Sequence, residues 1–304
     1  MDKLDPSHPA EAPVSIGRLA ELTGISPDRL RVWERRYGRP RPIRLESGHR
    51  RYEHDEVLIL RQVAELLAQG RPVGETLALD DAALKQRYLD CIGERRGFDG
   101  LEQWIDAVQK YDAERLHSSL CRELDTLDLI DFLDQRIGPL LTTIGSEWAQ
   151  GSIEIRHEHF VSNLVERFLD QLLVQTPQGS GRSIVLSTFP NEEHSIGLKM
   201  LDLTARAIEL HTIWIGPGTP IAEIRQSILE TNSTLVGISL SASGGGPAAM
   251  RAVTELSAQL PENVQIIVGG AGVPPKARGN HRVHLFHSLR AFSDWMTTRE
   301  STPS

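Results

Sequence analysis

The spacing of apolar residues changes along the chain and divides it into three parts. Over 14–79 and again over 80–176, apolar residues recur every three or four positions, which predicts amphipathic helices. Over 182–300, short apolar runs alternate with helical patterns, which predicts parallel strands joined by helices. The small and polar residues of TPQGSGR, at 176–182, are typical of a linker. We therefore expect three domains, with the boundaries 14–79, 80–176 and 182–300.

The first part predicts a helix-turn-helix followed by a β-hairpin and a third helix. The segment IGRLAELTG predicts a helix that stops at Gly24. Ser26 and Pro27 suit the N-cap and the first residue of the next helix, PDRLRVWERRYG. The dipeptide Ser47-Gly48 suits the tip of a hairpin, after which DEVLILRQVAELLAQG predicts a third helix.

The second and third parts predict a helical bundle and an open α/β sheet. Residues 80–176 carry leucine and isoleucine stripes without strand alternation, which predicts four or five packed helices. The third part has five short apolar runs, SIVLSTF, HTIWIG, STLVGISLS, VQIIVGG and RVHLF, with helical segments between and after them. The predicted fold class is multidomain: a winged helix-turn-helix, a four-helix bundle, and a doubly wound parallel α/β domain of the Rossmann-like kind.

Charge is distributed unevenly along the chain. The net charge is -8, yet residues 29–51 contain nine arginines against Glu34 and Glu46, so this segment carries +7 and the rest -15. A basic segment on an acidic protein predicts a local anionic partner, with a surface helix of chance arginines as the alternative. Because arginine offers rigid bidentate donors to phosphate and guanine, a winged helix-turn-helix with this segment predicts binding to a double-stranded DNA operator.

The composition argues against other classes of protein. No apolar run approaches the roughly 18 residues that cross a bilayer, and the N-terminus lacks an apolar signal core. We therefore expect a cytoplasmic protein without a membrane partner. Cys91 and Cys121 stand thirty residues apart in helical patterns, which favours free thiols over a disulfide or a metal pair.

Three motifs in residues 14–76 carry a resemblance to a known class of regulator. They are IGRLAELTGIS, LRVWERRYG, and the G-H-R-x-Y pattern at 48–52. In these motifs the chain resembles the DNA-binding domain of MerR-type transcriptional regulators, which bind inverted repeats as dimers. From the residues alone, Trp33 and Tyr37 suit a supporting role in the core and wing. With the resemblance, we expect DNA contacts from Arg31, Arg35, Arg36, Tyr37, His49, Arg50 and Tyr52.

A histidine follows the first predicted strand of the third part, in FPNEEHSIG. Glu192 stands two residues before His194, and Gly197 three residues after it. Open α/β sheets bind ligands at the carboxyl ends of their strands, and a carboxylate can hold one imidazole nitrogen while the other binds a metal. A plain histidine at a helix N-terminus is the alternative. Serines and glycines in SLSAS, VGGAG and GPGTP, at later strand ends, indicate a slot for an extended ligand.

Over residues 182–300 these motifs resemble the cobalamin-binding domain of methionine synthase and methylmalonyl-CoA mutase. Glu192, His194 and Gly197 match its D-x-H-x-x-G motif, with glutamate in place of aspartate. The resemblance implies that His194 is the lower axial cobalt ligand and that the nucleotide tail of cobalamin enters the slot. The residues matched to the slot are Ser239, Ser241, Gly269 and Gly270.

A further motif, SEWAQGSIEIRHEHF at 146–160, lies in the predicted bundle. Nine residues separate Trp148 from Glu158, and His159 follows directly. With the two flanking domains, this pattern resembles light-responsive cobalamin-dependent repressors of the CarH and LitR type over nearly the whole chain. The resemblance implies that Trp148, Glu158 and His159 pack over the upper ligand of cobalamin. A buried tryptophan beside a surface Glu-His pair is the alternative.

The resemblance also implies a cofactor and an assembly. The expected cofactor is adenosylcobalamin, with methylcobalamin as the alternative. The expected assembly is a homo-oligomer, either a dimer or a tetramer. In such repressors the dark oligomer covers the promoter, and light breaks the cobalt–carbon bond so that the oligomer falls apart.

One residue departs from the light-responsive pattern. In those photoreceptors a histidine after the tryptophan captures cobalt once light has acted, whereas this chain has Ala149 there. His157 and His159 are the candidate substitutes. We predict a cobalamin-binding, light-responsive repressor that is not an enzyme. The alternatives are a light-independent cobalamin sensor, a regulator with a cofactor-free scaffold domain, and, less favoured, a corrinoid-dependent enzyme, for which we find no catalytic domain.

Overall fold

The computed structural model describes residues 12–45, 48–68, 71–92, 97–190, 192–241, 244–274 and 277–300. Its N-terminal part is the winged helix-turn-helix that the sequence predicts. Ser15 and Ser26 cap the first two helices by accepting main-chain hydrogen bonds, and Gly24 and Gly38 end them with φ values of 68° and 73°, which glycine adopts without strain. The elements are α1 (Ile16–Thr23), α2 (Pro27–Tyr37), β1 (Pro42–Arg44), β2 (Arg50–Tyr52) and α3 (His54–Ala68).

The wing is an antiparallel hairpin fixed to the start of α1. Pro42 lies opposite Tyr52 in its register, and Val14 exchanges two main-chain hydrogen bonds with Tyr52, of 2.8 and 3.0 Å. Of the predicted hairpin tip, Gly48 has φ 80°, and Ser47 lies outside the described residues. The wing therefore moves with the helix-turn-helix as one unit.

Helices occupy the whole middle of the chain. A π-helical turn at Leu133–Ile137 joins α8 to α9 without a break. The elements are α4 (Val73–Leu77), α5 (Asp81–Ile92), α6 (Leu101–Gln109), α7 (Ala113–Leu124), α8 (Leu129–Phe132), α9 (Gly138–Gln150) and α10 (Ile155–Gln175). The helices from α6 to α10 enclose one apolar core, the cap core, which includes Trp104, Leu120, Phe132 and Val165.

Helix α5 packs with the DNA-binding part and not in the cap core. Its Leu84 and Tyr88 are fully buried among Leu19, Leu30 and the apolar residues of α3. The N-terminal core therefore takes in a helix that lies beyond residue 79, where the sequence pattern predicted the first boundary.

The C-terminal part is a five-stranded parallel sheet, as predicted. Its strand order is β4-β3-β5-β6-β7, and all neighbouring strands are parallel. Helices α11 and α14 cover one face, and α12 and α13 cover the other. The elements are β3 (Ser183–Ser187), α11 (Ile196–Ala207), β4 (His211–Gly216), α12 (Ile221–Thr231), β5 (Leu235–Ser239), α13 (Pro247–Gln259), β6 (Gln265–Gly269), β7 (Val283–Phe286) and α14 (Leu289–Glu300).

The strand order fixes where a ligand can bind. The chain winds outward from β3 in both directions, so the connections that leave β3 and β5 run to opposite faces of the sheet. The crevice between them at the carboxyl edge is the position where doubly wound sheets bind ligands. Among the described residues, no helix is long and apolar enough to cross a membrane.

The cap and the sheet are joined by apolar packing and by several polar contacts, among them those of the half-buried Asp134. Met200 and Leu203 of α11 contribute to the cap core. Asp134, in the π-helical turn, accepts hydrogen bonds from the main-chain N–H groups of Leu289 and Arg290, both of 2.8 Å. Burial raises the pKa of Asp134, against these hydrogen bonds, which lower it. The side chain therefore caps α14 across the domain boundary.

Replacing Asp134 should loosen this junction. Asp134→Ala leaves two N–H groups at the start of α14 without acceptors, so we expect the free energy of unfolding to fall by about 1–2 kcal/mol. Chemical denaturation followed by circular dichroism measures the change. Asp125→Ala, at an exposed position after α7, is the control, and equal stability of the two variants would contradict this role for Asp134.

Candidate functional site

The arginines expected to contact DNA are exposed on α2 and on the wing, which together form the surface called the basic face. Arg35 and Arg36 occupy the last turn of α2 and are exposed, and His49 and Arg50 are exposed on the wing. Arg31 is also exposed, and it forms an ion pair of 2.6 Å with Asp28 on the same helix. The face combines a helix with a neighbouring hairpin, which is the arrangement by which winged helix-turn-helix proteins read DNA.

Tyr37 and Tyr52 differ in their accessibility. The ring of Tyr37 is half-buried, and the Arg36 guanidinium lies 5.4 Å from its centroid. Tyr52 is fully buried, and its hydroxyl donates a 2.9 Å hydrogen bond to Glu34. Burial and the Glu34 carboxylate raise the pKa of Tyr52 to about 12. A direct DNA contact by Tyr52 is therefore wrong for this structure, because the side chain supports the wing from inside.

Two charged residues have roles that the arginine pattern did not reveal. Glu34 accepts the Tyr52 hydroxyl with one carboxylate oxygen, and its other oxygen lies 3.3 Å from Nε of Arg50, so it ties the wing to α2. Arg39 is buried and pairs with Asp81 and Glu56. Arg39 therefore belongs to the interior and not to the basic face.

The carboxyl edge of the sheet contains a hydrogen-bonded pair. His194 lies in the loop between β3 and α11, and its Nδ1 is 2.6 Å from Oε1 of Glu192. The Glu192 side chain is only 4% exposed, whereas that of His194 is 65% exposed. With Nδ1–H donating to the carboxylate, the neutral imidazole carries its lone pair on Nε2. The pair therefore presents one ring nitrogen that can coordinate a metal.

The loop after β5 completes the hydrogen bonds of Glu192. Its Oε2 accepts from the main-chain N–H of Ser241 at 3.1 Å and from the Ser241 hydroxyl. Burial alone would raise the pKa of Glu192, but the hydrogen bonds from His194 and Ser241 outweigh it and hold that pKa below its usual value. The carboxylate in turn raises the pKa of His194. Glu192 is thus an ionised anchor between the loops after β3 and β5.

Gly197 and Gly270 permit neighbouring elements to approach closely at the carboxyl edge of the sheet. A Cβ on Gly197 would lie 2.6 Å from Oγ of Ser239, so glycine lets α11 begin against the end of β5. Gly270 has φ 106°, and a Cβ there would lie 2.4 Å from the carbonyl oxygen of Leu240. At Gly269 a Cβ would make only ordinary contact. A role for these residues beside a nucleotide tail stays a prediction.

Helix α10 brings acidic side chains towards His194. The charges of Glu158 and Glu166 both contribute to the raised pKa of His194, after the larger effect of Glu192. Glu158 also accepts from Ser162 at 2.6 Å and lies 2.9 Å from Nδ1 of the exposed His159. His159 therefore lies beside Glu158, whose charge acts on His194.

His157 is committed to another role. Its Nδ1 accepts the main-chain N–H of Glu154 at the start of α10, and its ring stacks on Tyr111 with centroids 4.9 Å apart. Its side chain is buried. With Nδ1 accepting this hydrogen bond, the neutral ring carries its proton on Nε2, so neither nitrogen offers a free lone pair. Of the two candidate substitutes, His159 is the exposed one.

Trp148, at the end of α9, packs between the cap core and the N-terminal core. One face of its indole lies 4.1 Å from the guanidinium carbon of Arg61 on α3. Its Nε1 is buried and has no hydrogen-bond acceptor among the described residues. Ala149, the next residue, is 1% exposed within the N-terminal core. Arg61 was not predicted from the sequence, although Val57, Leu60 and Arg61 have the spacing of one helical stripe.

Comparison with known proteins identifies the family. Residues 14–76 match the MerR HTH family regulatory protein model, and residues 101–173 match the B12 binding domain model. The chain is 30% identical over 293 residues to the HTH-type transcriptional repressor CarH of Myxococcus xanthus, covering 94% of this chain and 98% of that protein. The chain belongs to the CarH family of transcriptional repressors.

Other similarities agree with membership of the CarH family. The HTH-type transcriptional repressor CarA of Myxococcus xanthus is 26% identical over 270 residues, which cover 84% of this chain and 86% of CarA. The monomethylamine corrinoid protein of Methanosarcina barkeri superposes with a TM-score of 0.51 at 12% identity, over 65% of this chain and 96% of that structure. The latter likeness shows the fold alone. This CarH-family chain is a cobalamin-binding transcriptional regulator with an N-terminal DNA-binding domain.

The basic face yields a testable prediction. We expect Arg35→Ala and Arg50→Ala each to weaken binding to an operator selected from a randomised duplex pool by roughly 1–3 kcal/mol if the side chains contact bases. Fluorescence anisotropy measures this, with Arg225→Ala on α12 as the control. A contact to phosphate alone would instead weaken all sequences alike and reduce the salt slope by about one unit. Unchanged affinity in both variants would remove these residues from the interface.

Proposed function

We propose that this chain is a repressor whose hold on operator DNA is controlled by adenosylcobalamin, with His194 as the lower axial ligand of cobalt and light as the signal. The observation that carries the proposal is the pair of Glu192 and His194. A buried carboxylate holds one imidazole nitrogen, and the exposed ring leaves the other nitrogen free to bind. Membership of the CarH family supports the regulatory role.

The residues present fit the group. A neutral imidazole with a carboxylate behind it is a strong nitrogen ligand, because the carboxylate fixes the tautomer and increases the basicity of the ring. Close-packed glycines and serines surround this pair at the switch point of the sheet. Bound cobalamin would supply a cobalt ion that accepts a nitrogen ligand from His194, together with a light-sensitive cobalt–carbon bond.

We propose that α9 and α10 cover the upper side of the cobalamin site. Three observations support this: the charge of Glu158 raises the pKa of His194, His159 lies 2.9 Å from Glu158, and Trp148 is at the end of the helix before α10. The buried N–H of Trp148 without an acceptor is a donor that a bound group can use. These three residues are proposed to enclose the upper ligand and to exclude water from it.

Control of DNA binding requires two states that the ligand distinguishes. A ligand shifts an equilibrium only by its difference in affinity for the two states. We propose that the cobalamin-loaded chain assembles into a homo-oligomer that presents several DNA-binding domains to one operator. We propose that loss of the upper ligand dissociates the oligomer. The separated subunits then lose the gain in DNA affinity that comes from binding one operator at several points.

Substitution of the axial ligand tests the proposal. His194→Ala should abolish the spectrum of nitrogen-ligated cobalamin and remove the effect of cobalamin on operator affinity. Glu192→Gln keeps an acceptor but loses the charge, so its affinity for cobalamin should fall about 10–100-fold. Absorption spectra and equilibrium dialysis with adenosylcobalamin in darkness measure both.

The matched control is His211→Ala. His211 is exposed at the start of β4, at the amino ends of the parallel strands, whereas His194 lies at their carboxyl ends. It should bind cobalamin as the wild type does. If His194→Ala retains the nitrogen-ligated spectrum, the axial-ligand assignment is wrong. If the wild type itself binds no cobalamin, the proposed function fails.

The environment of Ala149 favours a second candidate function, a cobalamin sensor that does not respond to light. Alanine cannot ligate cobalt, and its methyl group is buried in the N-terminal core with residues such as Leu19 and Tyr88. In such a sensor the cobalamin-loaded oligomer stays intact in green light.

A histidine at position 149 should be costly in this chain. Ala149→His places an imidazole in a packed apolar core, and we expect the free energy of unfolding to fall by about 1–3 kcal/mol through overpacking. Denaturation of the cobalamin-free protein measures this, with Gln150→His at the exposed neighbouring position as the control. Equal stability of both variants would contradict the buried position of residue 149.

A further inference from the structure

Arg61 is a buried cation at the junction of the DNA-binding part and the cap. Its side chain lies on the inner stripe of α3 and the residue is 5% exposed. Its Nε donates to the carbonyl oxygen of Leu22 at 2.9 Å, and its Nη1 donates to that of Trp148 at 3.1 Å. The guanidinium is therefore shared between two domains.

Both acceptors lie at the same kind of position. Leu22 is in the last turn of α1, and Trp148 is in the last turn of α9. Carbonyl groups there carry the negative end of the helix dipole, which attracts a cation. The Trp148 carbonyl oxygen also accepts the main-chain N–H of Gly151 at 3.2 Å, so Arg61 is its second donor. Burial lowers the pKa of Arg61 to about 10, so the side chain keeps its charge at neutral pH. Arg61 thus caps one helix of each domain.

The same side chain also holds the indole of Trp148. The guanidinium carbon lies 4.1 Å from the ring centroid, which is close for a cation–π contact. A buried guanidinium cannot leave its donors unpaired without a large penalty. When Trp148 moves, Arg61 must therefore move with it or lose its main contacts.

The end of α9 packs closely against the helices of the DNA-binding part. The hydroxyl of the fully buried Tyr88 donates to the carbonyl oxygen of Ser146 at 3.0 Å. A Cβ on Gly151 would lie 2.9 Å from Cδ2 of Leu58 on α3, so glycine permits the close contact. With Ala149 in the N-terminal core, these contacts make α1, α3, α5 and the end of α9 one packed unit.

We infer that Arg61 is a positioning residue that couples the position of Trp148 to the DNA-binding domain. This inference rests on the proposed function, in which Trp148 covers the upper ligand of cobalamin. Occupancy of the cobalamin site changes the position of α9, and Arg61 carries that change to α1 and α3. The recognition helix α2, which is packed on α1, then takes a different position relative to the cap and to the other subunits of the oligomer.

The test compares Arg61→Gln and Arg61→Lys with the wild type in the full chain. Glutamine can donate to only one of the two carbonyl groups and has no charge, whereas lysine keeps the charge. Arg122→Gln, on the exposed side of α7, is the matched control. The coupling is the ratio of operator affinities with and without adenosylcobalamin in darkness.

We expect Arg61→Gln to bring that ratio close to one while cobalamin affinity changes less than about threefold. Allosteric ratios are commonly about 5–150-fold, so the loss is measurable. Arg61→Lys should restore part of the ratio, and Arg122→Gln should leave it unchanged. A wild-type ratio in Arg61→Gln would overturn the coupling role.

Hydrogen exchange of the cobalamin-free protein gives a readout that does not depend on the proposed function. In Arg61→Met, whose side chain has no donor, the amides of 20–25 and of 147–152 should both exchange faster, because both helix ends lose the guanidinium. Faster exchange in neither segment, or in only one, would overturn the shared capping. A wild type that binds no cobalamin would refute the proposed function and the coupling together, while the exchange result would still decide whether Arg61 joins the two domains.

Discussion

The contact between Arg61 and the end of α9 is the constraint on which the position of the DNA-binding part against the cap depends. A single guanidinium satisfies the terminal carbonyl groups of two helices and lies against the indole of Trp148. Apolar contacts alone can slide, because they have no preferred direction. Two hydrogen bonds from one buried cation fix the register of the helices. The DNA-binding part is therefore held against the cap at the position where the family resemblance expects the upper ligand to be covered.

A second buried charge organises the other end of the site. The carboxylate of Glu192 connects His194 with Ser241, and thereby the loop after β3 with the loop after β5. Its glutamate side chain replaces the aspartate of the related cobalamin-binding motif and still reaches Nδ1 of the histidine at 2.6 Å. Helix α10 follows α9 in the chain, and the charge of its Glu158 contributes to the raised pKa of His194.

Local rules predicted much of the fold. The N-cap at Ser26 and the glycines that end α1 and α2 depend on residues within one turn, so the pattern was sufficient there. The five parallel strands followed from apolar runs that are buried on both faces. Helix α5 was harder, because its apolar stripe shows that it packs but not which core receives it.

Only part of the candidate site was predicted, because local contacts leave a signal in the sequence and long-range contacts do not. The bond between Glu192 and His194 is local, at a spacing of two residues, and the sequence motif contained it. Tyr52 was wrongly expected to contact DNA, because its burial depends on Glu34 from another element. Arg61 was missed because a charged residue on an apolar stripe finds its acceptors 39 and 87 residues away. Long-range hydrogen bonds of buried charges leave no periodic signal in the sequence.

The most direct test of the account is to add adenosylcobalamin to the full chain in darkness and to record its absorption spectrum and native mass before and after green light. The account predicts a spectrum of nitrogen-ligated cobalamin, an oligomer in darkness, and loss of that oligomer after illumination. An oligomer that binds cobalamin but is unchanged by light would contradict the light response and support the sensor without photochemistry. A chain that binds no cobalamin would contradict the central claim.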